Sequence, residues 1–424
     1  MNYSKAMEKM EQIAKKGSIL GLEPVSILCR MLGNPQDKIK VIHIAGTNGK
    51  GSILAYLESI FIEGGYKVGK YSSPTLFSYL ERFKINGENM SEEDFVSYYK
   101  KIEKCLNEMQ KINASMPTAF ELETAIAFDY FYEKAVDVVL LETGMGGELD
   151  ATNIVKCPVC TVIASVDMDH MAFLGSNIEE IAKKKAGIIK ESVPVVVSPK
   201  QKEEARRVFL ERAEEKCVPL FQAETPRIYD FSLEKQSFYF QGKEEKKYEI
   251  SLLGTHQPEN ASTALKVVEV VKDVFSLTDA QIAEGLKKTS WPARFEIIRK
   301  EPLVIRDGAH NENAAARLKE SLQKYFTKPQ FIYIMGVLKD KEYEKIIDIM
   351  ASMTELVYVI TPKNERALPA EELKLAWSKH KKKVIVVEDA KEALEQALHM
   401  YHDESGILCF GSLSFMSEIT DIQP

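Results

Sequence analysis

The sequence of 424 residues is poor in cysteine, tryptophan and histidine, and charged residues interrupt its apolar stretches. Its six cysteines are scattered along the chain, which predicts reduced thiols in a reducing compartment instead of a disulfide framework. The N-terminal segment MNYSKAMEKMEQIAKKG mixes charges with apolar residues, so it lacks the apolar run of a secretory signal or a membrane span. We therefore expect a cytoplasmic protein that does not enter a membrane.

Basic charge is also in deficit, with 56 Lys and Arg against 63 Asp and Glu and a net charge of −7. This balance argues against a protein whose main work is binding nucleic acid or an anionic membrane surface. Apolar residues make up 45% of the chain and charged residues 28%, which is typical of a soluble globular protein and excludes a disordered or fibrous one. The length predicts two or three domains.

Short apolar segments alternate with longer helical patterns over most of the chain. KVIHIAG, YKVGKYSS, VDVVLLE and PVCTVIASV read as strands, separated by helices such as GKGSILAYLESIFIEGG, and this order predicts a mostly parallel α/β sheet. Residues 227–251 alternate apolar and polar side chains around a glycine, which predicts antiparallel strands on the edge of an otherwise parallel domain. A second series, from LVIRDG to GILCFGS, predicts another open α/β sheet. We place the boundary near residues 290–299 and expect a ligand in the cleft between the carboxyl ends of the two sets of strands.

Cys157 and Cys160 form the run CPVC. No second Cys or His pair stands at zinc-like spacing, and the residues VCTVIASV read as a strand. We favour the strand interpretation and keep a zinc or redox site as the alternative.

A glycine-rich run with one lysine, Gly46-Thr47-Asn48-Gly49-Lys50-Gly51-Ser52, stands between a predicted strand and a predicted helix. Glycines let backbone N–H groups converge on phosphates, the helix N-terminus adds positive potential, and Lys50 supplies a full charge. The spacing departs from GxxxxGK[ST], because Ile44 replaces the first glycine and Ser52 follows Gly51. We predict a phosphate-binding loop; the alternative is a tight turn with no ligand.

Further motifs follow in order: SSP with ERFKING, TAFE, GMGGELDATN, DH…LG, KAGIIK, GTHQ…NA, WPARFE and DGAHN. Together with GTNGKGS they span the chain, which resembles the folylpolyglutamate synthase and dihydrofolate synthase family of the Mur ligase superfamily. The resemblance implies an N-terminal P-loop ATPase domain of the Mur ligase type, placed at residues 1–293, and a smaller Rossmann-like α/β domain at residues 294–424. It also implies an ATP-dependent ligase, in which a folate carboxylate is phosphorylated and the amine of L-glutamate attacks the acyl phosphate.

The resemblance implies small-molecule partners only, a monomer, and two magnesium ions. The implied magnesium ligands are Ser73, Glu142 and His170, each at the end of a predicted strand. Magnesium prefers oxygen ligands and keeps several waters, so few protein ligands are needed. A histidine taken alone is as often a turn or core residue as a ligand, and for His170 both interpretations stay open.

Lys185 of KAGIIK stands where the family has a carbamylated lysine. Carbamylation requires a lowered lysine pKa, which the neighbouring Lys183 and Lys184 and burial beside the phosphate loop would favour. The alternative is an exposed basic helix face, which suits Lys183 and Lys184 well. With Lys50, Asp307 and His310, Lys185 completes the implied catalytic residues.

The remaining ATP-binding residues implied by the resemblance are Asn260, as the adenine contact, with Arg294 and Asp307. His310 and Ser412 would contact glutamate. From the residues alone, Asp307 is equally suited to cap the helix predicted from Asn311.

Arg82 and Phe120 are the implied folate contacts. Arg82 suits a substrate carboxylate, but a surface ion pair with Glu81 is an equal alternative. Phe120 is also compatible with a place in the core of a helix.

Four residues depart from the family pattern: Thr75 stands for a usual His, Glu148 for Arg, Lys184 for an acid and Ala293 for Gly. Thr75 and Glu148 lie in or beside the implied folate loops, so the form of folate stays open. Dihydrofolate synthase, alone or combined with the first activity, is the alternative within the family. A P-loop kinase for a small molecule and a cell-wall-type Mur ligase are alternatives outside it.

Overall fold

The structure, a computed structural model, describes residues 1–15, 17, 21–169, 171–242, 245–327, 330–401 and 406–420. The chain divides into two compact units. Unit 1 comprises Met1–Arg227, Tyr239–Tyr248 and Glu259–Thr289; unit 2 comprises Ile228–Phe238, Glu249–Pro258 and Ser290–Pro424. The domain bounds at residues 293 and 294 stay a prediction.

The first ten helices are α1 (Tyr3–Ala14), α2 (Glu23–Met31), α3 (Lys50–Glu63), α4 (Glu92–Lys111), α5 (Ala119–Glu133), α6 (Met171–Leu174), α7 (Ile178–Ala186), α8 (Glu203–Glu215), α9 (Gln257–Val270) and α10 (Asp279–Lys288). The strands up to the same point are β1 (Val41–Ala45), β2 (Val68–Tyr71), β3 (Phe83–Ile85), β4 (Glu88–Asn89), β5 (Val138–Glu142), β6 (Cys160–Ile163), β7 (Val195–Val197), β8 (Leu220–Gln222), β9 (Arg227–Phe231), β10 (Gln236–Gln241) and β11 (Glu245–Ile250).

Within the described residues, the main sheet of unit 1 has the order β4-β3-β2-β5-β1-β6-β7-β8. The strands from β2 to β8 in this order pair in parallel, and only β3 and β4 are antiparallel. Strand β1 is buried along its whole length, as its apolar sequence predicts. Because β5 and β6 flank β1 in parallel, the loops after all three strands leave the same edge of the sheet.

Two clusters of the unit 1 core cover the same face of this sheet. Helix α5 supplies Leu122, Ile126 and Phe128 to a cluster with β5, and α7 supplies Ile181 to a second cluster with Ile163. A capping box fixes the start of α5: the Thr118 side chain accepts from the Glu121 backbone N–H, and the Glu121 side chain accepts from the Thr118 backbone N–H. These anchors hold the ends of β1, β5 and β6 in place.

Unit 2 contains α11 (Glu312–Tyr325), α12 (Tyr343–Met350), α13 (Ala370–Trp377) and α14 (Ala390–His399), with strands β12 (Glu296–Lys300), β13 (Leu303–Arg306), β14 (Phe331–Met335), β15 (Leu356–Val359), β16 (Lys383–Val386) and β17 (Gly406–Phe410). Its sheet has the order β12-β13-β17-β14-β15-β16, and among these only β12 pairs antiparallel. The two α/β sheets confirm the predicted fold class.

The strands predicted for residues 227–251 are present. Strands β9, β10 and β11 form a separate sheet of order β11-β10-β9 and do not extend the main sheet of unit 1. The alternating pattern does bury one face, including Phe238 and Phe240, but the edges of the main sheet are taken by β4 and β8. The antiparallel edge is instead formed by ERFKING, which supplies β3.

Candidate functional site

The glycine-rich run joins β1 to α3 as predicted. Gly49 has φ +90°, in the left-handed region that favours glycine, and it directly precedes the first helical residue, Lys50. A Cβ at Gly49 would lie 2.6 Å from Oδ1 of Asn260. Asn260, predicted as the adenine contact, therefore lies against the loop itself and is buried.

Two backbone amides of the loop are bound to the protein. The N–H groups of Thr47 and Asn48 both donate to the carbonyl of Ser165, at 2.8 and 3.1 Å. The Thr47 hydroxyl also donates to the carbonyl of Asp167 at 3.0 Å. Since the first N–H groups of a helix have no partner inside it, the amides available to a phosphate are those that begin α3.

Two lysines converge on one carbonyl oxygen of the loop. Nζ of Lys50 donates to the carbonyl of Gly46 at 3.0 Å, and Nζ of Lys185 donates to the same oxygen at 2.9 Å. The carboxylate of Glu142, at the end of β5, lies 3.8 Å from Lys50. Burial, followed by the charge of Lys50, lowers the pKa of Lys185 to about 7. The arrangement concentrates positive charge where α3 begins.

The predicted cause of the low Lys185 pKa was partly wrong. Burial contributes as expected, but the neighbouring charge is that of Lys50 and not of Lys183 or Lys184. Lys183 is exposed and pairs with Glu179 at 2.8 Å, and Lys184 is exposed and pairs with Glu148 at 2.9 Å. Both side chains leave α7 on its solvent side, where they are screened from the buried amine.

A buried chain of hydrogen bonds that the motifs did not reveal supports the loop after β5. Asp150 accepts from the Met145 N–H at 2.8 Å and from the Thr152 hydroxyl at 2.6 Å. Because Thr152 donates its only hydroxyl proton to Asp150, Nε2 of His43 is the donor in its 2.8 Å contact with Thr152. Burial lowers the pKa of His43 to about 3, so the ring is neutral. The Asp-x-Thr spacing of LDAT was the available sequence signal, because it is typical of a side-chain turn.

The predicted magnesium ligands differ in what the structure describes. Glu142 is buried at the end of β5, and Ser73 follows β2 and is half-buried. His170 lies outside the described residues. Within the described part of the chain, no three His, Cys, Asp or Glu side chains group as a metal site. The carboxylate and hydroxyl oxygens of Glu142 and Ser73 nevertheless fit magnesium, which takes much of its coordination from water and phosphate.

Arg82 is tied to a different acid from the one expected. Its Nη1 lies 3.2 Å from Oε2 of Glu123 on α5, so the alternative of an ion pair with Glu81 was wrong. Glu81 instead accepts from the backbone N–H groups of Leu76 and Phe77. Short-range capping of that turn satisfies Glu81 and leaves Arg82 to reach across to α5.

Phe120 links α5 to the loop after β5. Its ring lies 6.0 Å from that of Tyr71, at the end of β2, and a Cβ at Gly144 would lie 2.5 Å from Cζ of Phe120. Phe120 is partly buried against the core of unit 1. Of the two predicted folate residues, Phe120 lies on α5 and Arg82 contacts α5 through Glu123. Both belong to the unit that carries the phosphate loop.

Unit 2 carries the other predicted residues. Both oxygens of Asp307 accept backbone N–H groups, Oδ2 from Phe295 at 2.7 Å and Oδ1 from Ala309 at 2.8 Å. Burial raises the pKa of Asp307, and the charge of Arg294 opposes the rise. The capping alternative for Asp307 was wrong, because Asn311 caps α11 by accepting from Ala314. Asp307 instead ties the residue after Arg294 to the loop that follows β13.

His310 and Ser412 lie after β13 and β17. Nδ1 of His310 donates to the carbonyl of Gly308 at 2.8 Å, which makes Nε2 the basic nitrogen of the neutral ring. Ser412 is buried and its Oγ accepts from the Ser414 N–H at 3.2 Å, so it begins a short 3₁₀ helix. β13 and β17 are neighbours in the sheet, which brings these two predicted residues to the same edge.

The Mur ligase middle domain matches residues 44–268, and the Mur ligase glutamate ligase domain matches residues 293–413. The chain is 35% identical to a dihydrofolate synthase/folylpolyglutamate synthase of Bacillus subtilis, over 98% of each chain. It belongs to the folylpolyglutamate synthase and dihydrofolate synthase family. Among solved structures it resembles Mycobacterium tuberculosis folylpolyglutamate synthase complexed with ADP (TM-score 0.89, 28% identity, 98% of each chain) and E. coli FolC in complex with DHPP and ADP (TM-score 0.88, 28% identity, 99% and 96%).

Two of the departures from the family pattern contact each other. Glu148 stands where Arg is common and Lys184 where an acid is common, and the two side chains form one ion pair. The backbone N–H of Glu148 also donates to the carbonyl of Lys184 at 2.7 Å. The ion pair and this hydrogen bond hold the loop after β5 against α7.

A third departure carries backbone strain. Ala293 has φ +56° and the neighbouring Phe295 has φ +45°, on either side of Arg294. The left-handed region explains the glycine that the ligase family commonly has at position 293.

None of the helices in the described ranges is sufficiently long and apolar to span a membrane.

Proposed function

We propose that the protein is an ATP-dependent ligase that adds L-glutamate to the γ-carboxylate of a reduced folate, as a folylpolyglutamate synthase does. The observation that carries this proposal is the convergence of the Nζ atoms of Lys50 and Lys185 on the Gly46 carbonyl at the start of α3. A cationic helix N-terminus suits a nucleotide triphosphate. The similarity to a folylpolyglutamate synthase complexed with ADP supports ATP as the nucleotide.

In the proposed reaction, a carboxylate oxygen of the folate attacks the γ-phosphorus of ATP and ADP leaves. The amine of glutamate then attacks the acyl carbon, phosphate leaves, and the amine loses a proton. Gly46 to Ser52 and Lys50 hold the phosphates, and Asn260, Arg294 and Asp307 complete the ATP contacts. His310, whose Nε2 is basic, and Ser412 are assigned to glutamate.

Magnesium held by Ser73, Glu142 and His170 would neutralise phosphate charge, and two ions are expected. With a pKa of about 7, Lys185 is largely a neutral amine just above neutral pH. The neutral amine can attack carbon dioxide and lose a proton, which would give a carbamate anion at this buried position. These assignments, a monomeric state and a cytoplasmic location form the rest of the proposal.

A second candidate is dihydrofolate synthase activity, in which glutamate joins dihydropteroate. Two relatives, from Bacillus subtilis and E. coli, are both named dihydrofolate synthase/folylpolyglutamate synthase, which favours this candidate. The test is incorporation of labelled glutamate by the purified protein with ATP and either a reduced folate or dihydropteroate. Incorporation with the folate supports the first proposal, incorporation with dihydropteroate alone replaces it by the second, and incorporation with neither overturns both.

The same assay separates a ligase from a P-loop kinase. A ligase releases ADP only when glutamate is present to consume the acyl phosphate in each turnover. ADP formation at full rate without glutamate, with a stable phosphorylated product, would contradict the proposal.

A further inference from the structure

A carboxylate on α5 fixes the position of Arg82. Glu123 pairs with Arg82 through Oε2 and accepts the hydroxyl hydrogen of Tyr79 on Oε1 at 2.8 Å. The guanidinium also stacks over the Tyr79 ring, 4.9 Å from its centroid. The side chain of Glu123 is 7% exposed and that of Arg82 is 19% exposed, so the pair is screened from solvent.

The position of the Arg82 guanidinium has an energetic cost. Among the described residues, the buried Nε of Arg82 has no hydrogen-bond partner. An unsatisfied buried donor is unfavourable, so hydrogen bonding at Nε does not place the guanidinium. The guanidinium is held by its ion pair with Glu123 and by its stacking on Tyr79. Loss of the negative charge on Glu123 would therefore release Arg82. Burial raises the pKa of Glu123, while Arg82 and the Tyr79 hydroxyl oppose this rise.

This cluster adjoins the aromatic surface of Phe120. Thr124, next to Glu123 on α5, donates its hydroxyl hydrogen to the carbonyl of Phe120 at 2.8 Å. Tyr71 therefore donates to Thr124 in their 3.3 Å contact, and its ring lies 6.0 Å from Phe120. Phe120 is one of the folate contacts that the family resemblance implies, so Glu123 and Arg82 lie beside the proposed folate site.

We propose that Glu123 is a positioning residue that orients Arg82 and cancels its charge, so that Arg82 faces an uncharged, hydrogen-bonding part of the folate and not a carboxylate. This inference rests on the proposed function. An arginine already matched by a carboxylate in a screened place has little net charge left to attract an anion. Its guanidinium still offers directional N–H groups to a neutral acceptor. The pteridine ring is the part of a folate with that chemistry.

The test compares Glu123→Gln, which keeps size and shape but removes the charge, with Glu133→Gln as the matched control. Glu133 also lies on α5, pairs with Lys101 at 2.7 Å and is exposed. We expect Glu123→Gln to raise KM for the reduced folate roughly tenfold, the equivalent of about 1.4 kcal/mol, with kcat and the KM values for ATP and glutamate within about threefold. Tyr79→Phe removes only the hydroxyl and should give a smaller rise in the same KM.

Two fragments identify the part of the substrate that Arg82 faces. Uncharged 6-hydroxymethylpterin carries the ring alone, and p-aminobenzoylglutamate carries the carboxylates without the ring. Inhibition by the pterin should weaken roughly tenfold in Glu123→Gln, whereas inhibition by p-aminobenzoylglutamate should stay equal or strengthen.

Three results would overturn the inference: an unchanged KM for the folate in Glu123→Gln, equal losses in Glu133→Gln, or weakening confined to p-aminobenzoylglutamate. An unchanged thermal midpoint for Glu123→Gln establishes that a rise in KM is not loss of fold. Failure of the proposed function is distinguishable, because the wild-type protein would then incorporate no glutamate with a folate.

Discussion

The phosphate loop of unit 1 and the turn that contains Asp307 in unit 2 differ in how their buried ionisable groups are hydrogen bonded. In the loop, the Nζ atoms of Lys50 and Lys185 share one carbonyl oxygen, and the carboxylate of Glu142 lies 3.8 Å from Lys50. In the turn, each oxygen of Asp307 accepts a backbone N–H. In the loop two lysine amines share one backbone acceptor, whereas in the turn each carboxylate oxygen has its own backbone donor.

The difference separates a binding element from a scaffold. Cations held close together at a helix N-terminus are unfavourable until an anion arrives, so their arrangement favours binding. A carboxylate that bridges two backbone amides stabilises the turn in which it lies. Asp307 is therefore expected to act first by shaping the Arg294 turn, whatever contact it makes with nucleotide.

The largest effect should come from removing the loop's own charge. Lys50→Ala is expected to lower kcat by roughly a thousandfold or more, because the charge that holds the phosphates is lost. Glutamate-dependent ADP release measures it. The control is Lys183→Ala, which removes an exposed lysine paired with Glu179. Near-normal turnover in Lys50→Ala would contradict the role given to the loop.

Lys185 should make the stability of the protein depend on pH. Its pKa is about 7 in the folded protein and near 10.5 when unfolded, so between these values the unfolded chain binds more protons and stability rises with pH. The slope is up to about 1.4 kcal/mol per pH unit, and below pH 7 it vanishes.

This dependence can be tested by thermal unfolding of the wild type and Lys185→Met. The thermal midpoints are measured from pH 6 to 9 in buffers free of carbon dioxide. The difference between them should shift in favour of the wild type above pH 7. Lys184→Met, at an exposed position, should show no such trend. A constant difference for Lys185→Met would mean that the buried amine does not titrate in this range.

Asp307→Asn should destabilise unit 2. The amide keeps one acceptor oxygen but turns an NH₂ group toward a backbone N–H, at a cost of about 1–3 kcal/mol. Both tryptophans, Trp291 and Trp377, lie in unit 2, so tryptophan fluorescence during urea unfolding reports on this unit.

The matched control is Asp389→Asn. Asp389 caps α14 by accepting from Glu392, and asparagine caps a helix about as well as aspartate. Equal stability losses in the two variants would refute the scaffold role of Asp307.

The smallest effect concerns the ion pair between Lys184 and Glu148. Lys184→Glu or Glu148→Arg alone places like charges together and should cost up to about 1 kcal/mol, because both side chains are exposed. The double variant should recover most of the loss. A double-mutant cycle on thermal midpoints measures the coupling, and additive losses would show that the pair contributes nothing.

Features encoded within a few residues could be predicted from the sequence. The apolar run of β1 and the glycines before α3 are local signals, and both elements formed where these patterns placed them. The order of the motifs also identified the family, which the similarity to the Bacillus subtilis relative confirmed.

Contacts between distant residues could not be predicted in the same way. Lys185 meets Gly46 across 139 residues, and Tyr79 meets Glu123 across 44. Sequence reasoning chose neighbours instead, Lys183 and Lys184 for the pKa of Lys185. The fold turned those side chains to solvent and brought Lys50 to the buried amine.

The two amides bound to Ser165 have a consequence for amide hydrogen exchange. The N–H groups of Thr47 and Asn48 are hydrogen bonded before any nucleotide arrives, so their exchange should be slow in both states. The amides of Lys50 and Gly51 begin α3 and lack partners inside the helix, so a nucleotide would slow their exchange. Nucleotide binding to the loop can therefore be followed by the deuterium uptake of residues 46–52. Binding should slow exchange in the second half of this segment and leave the first half unchanged.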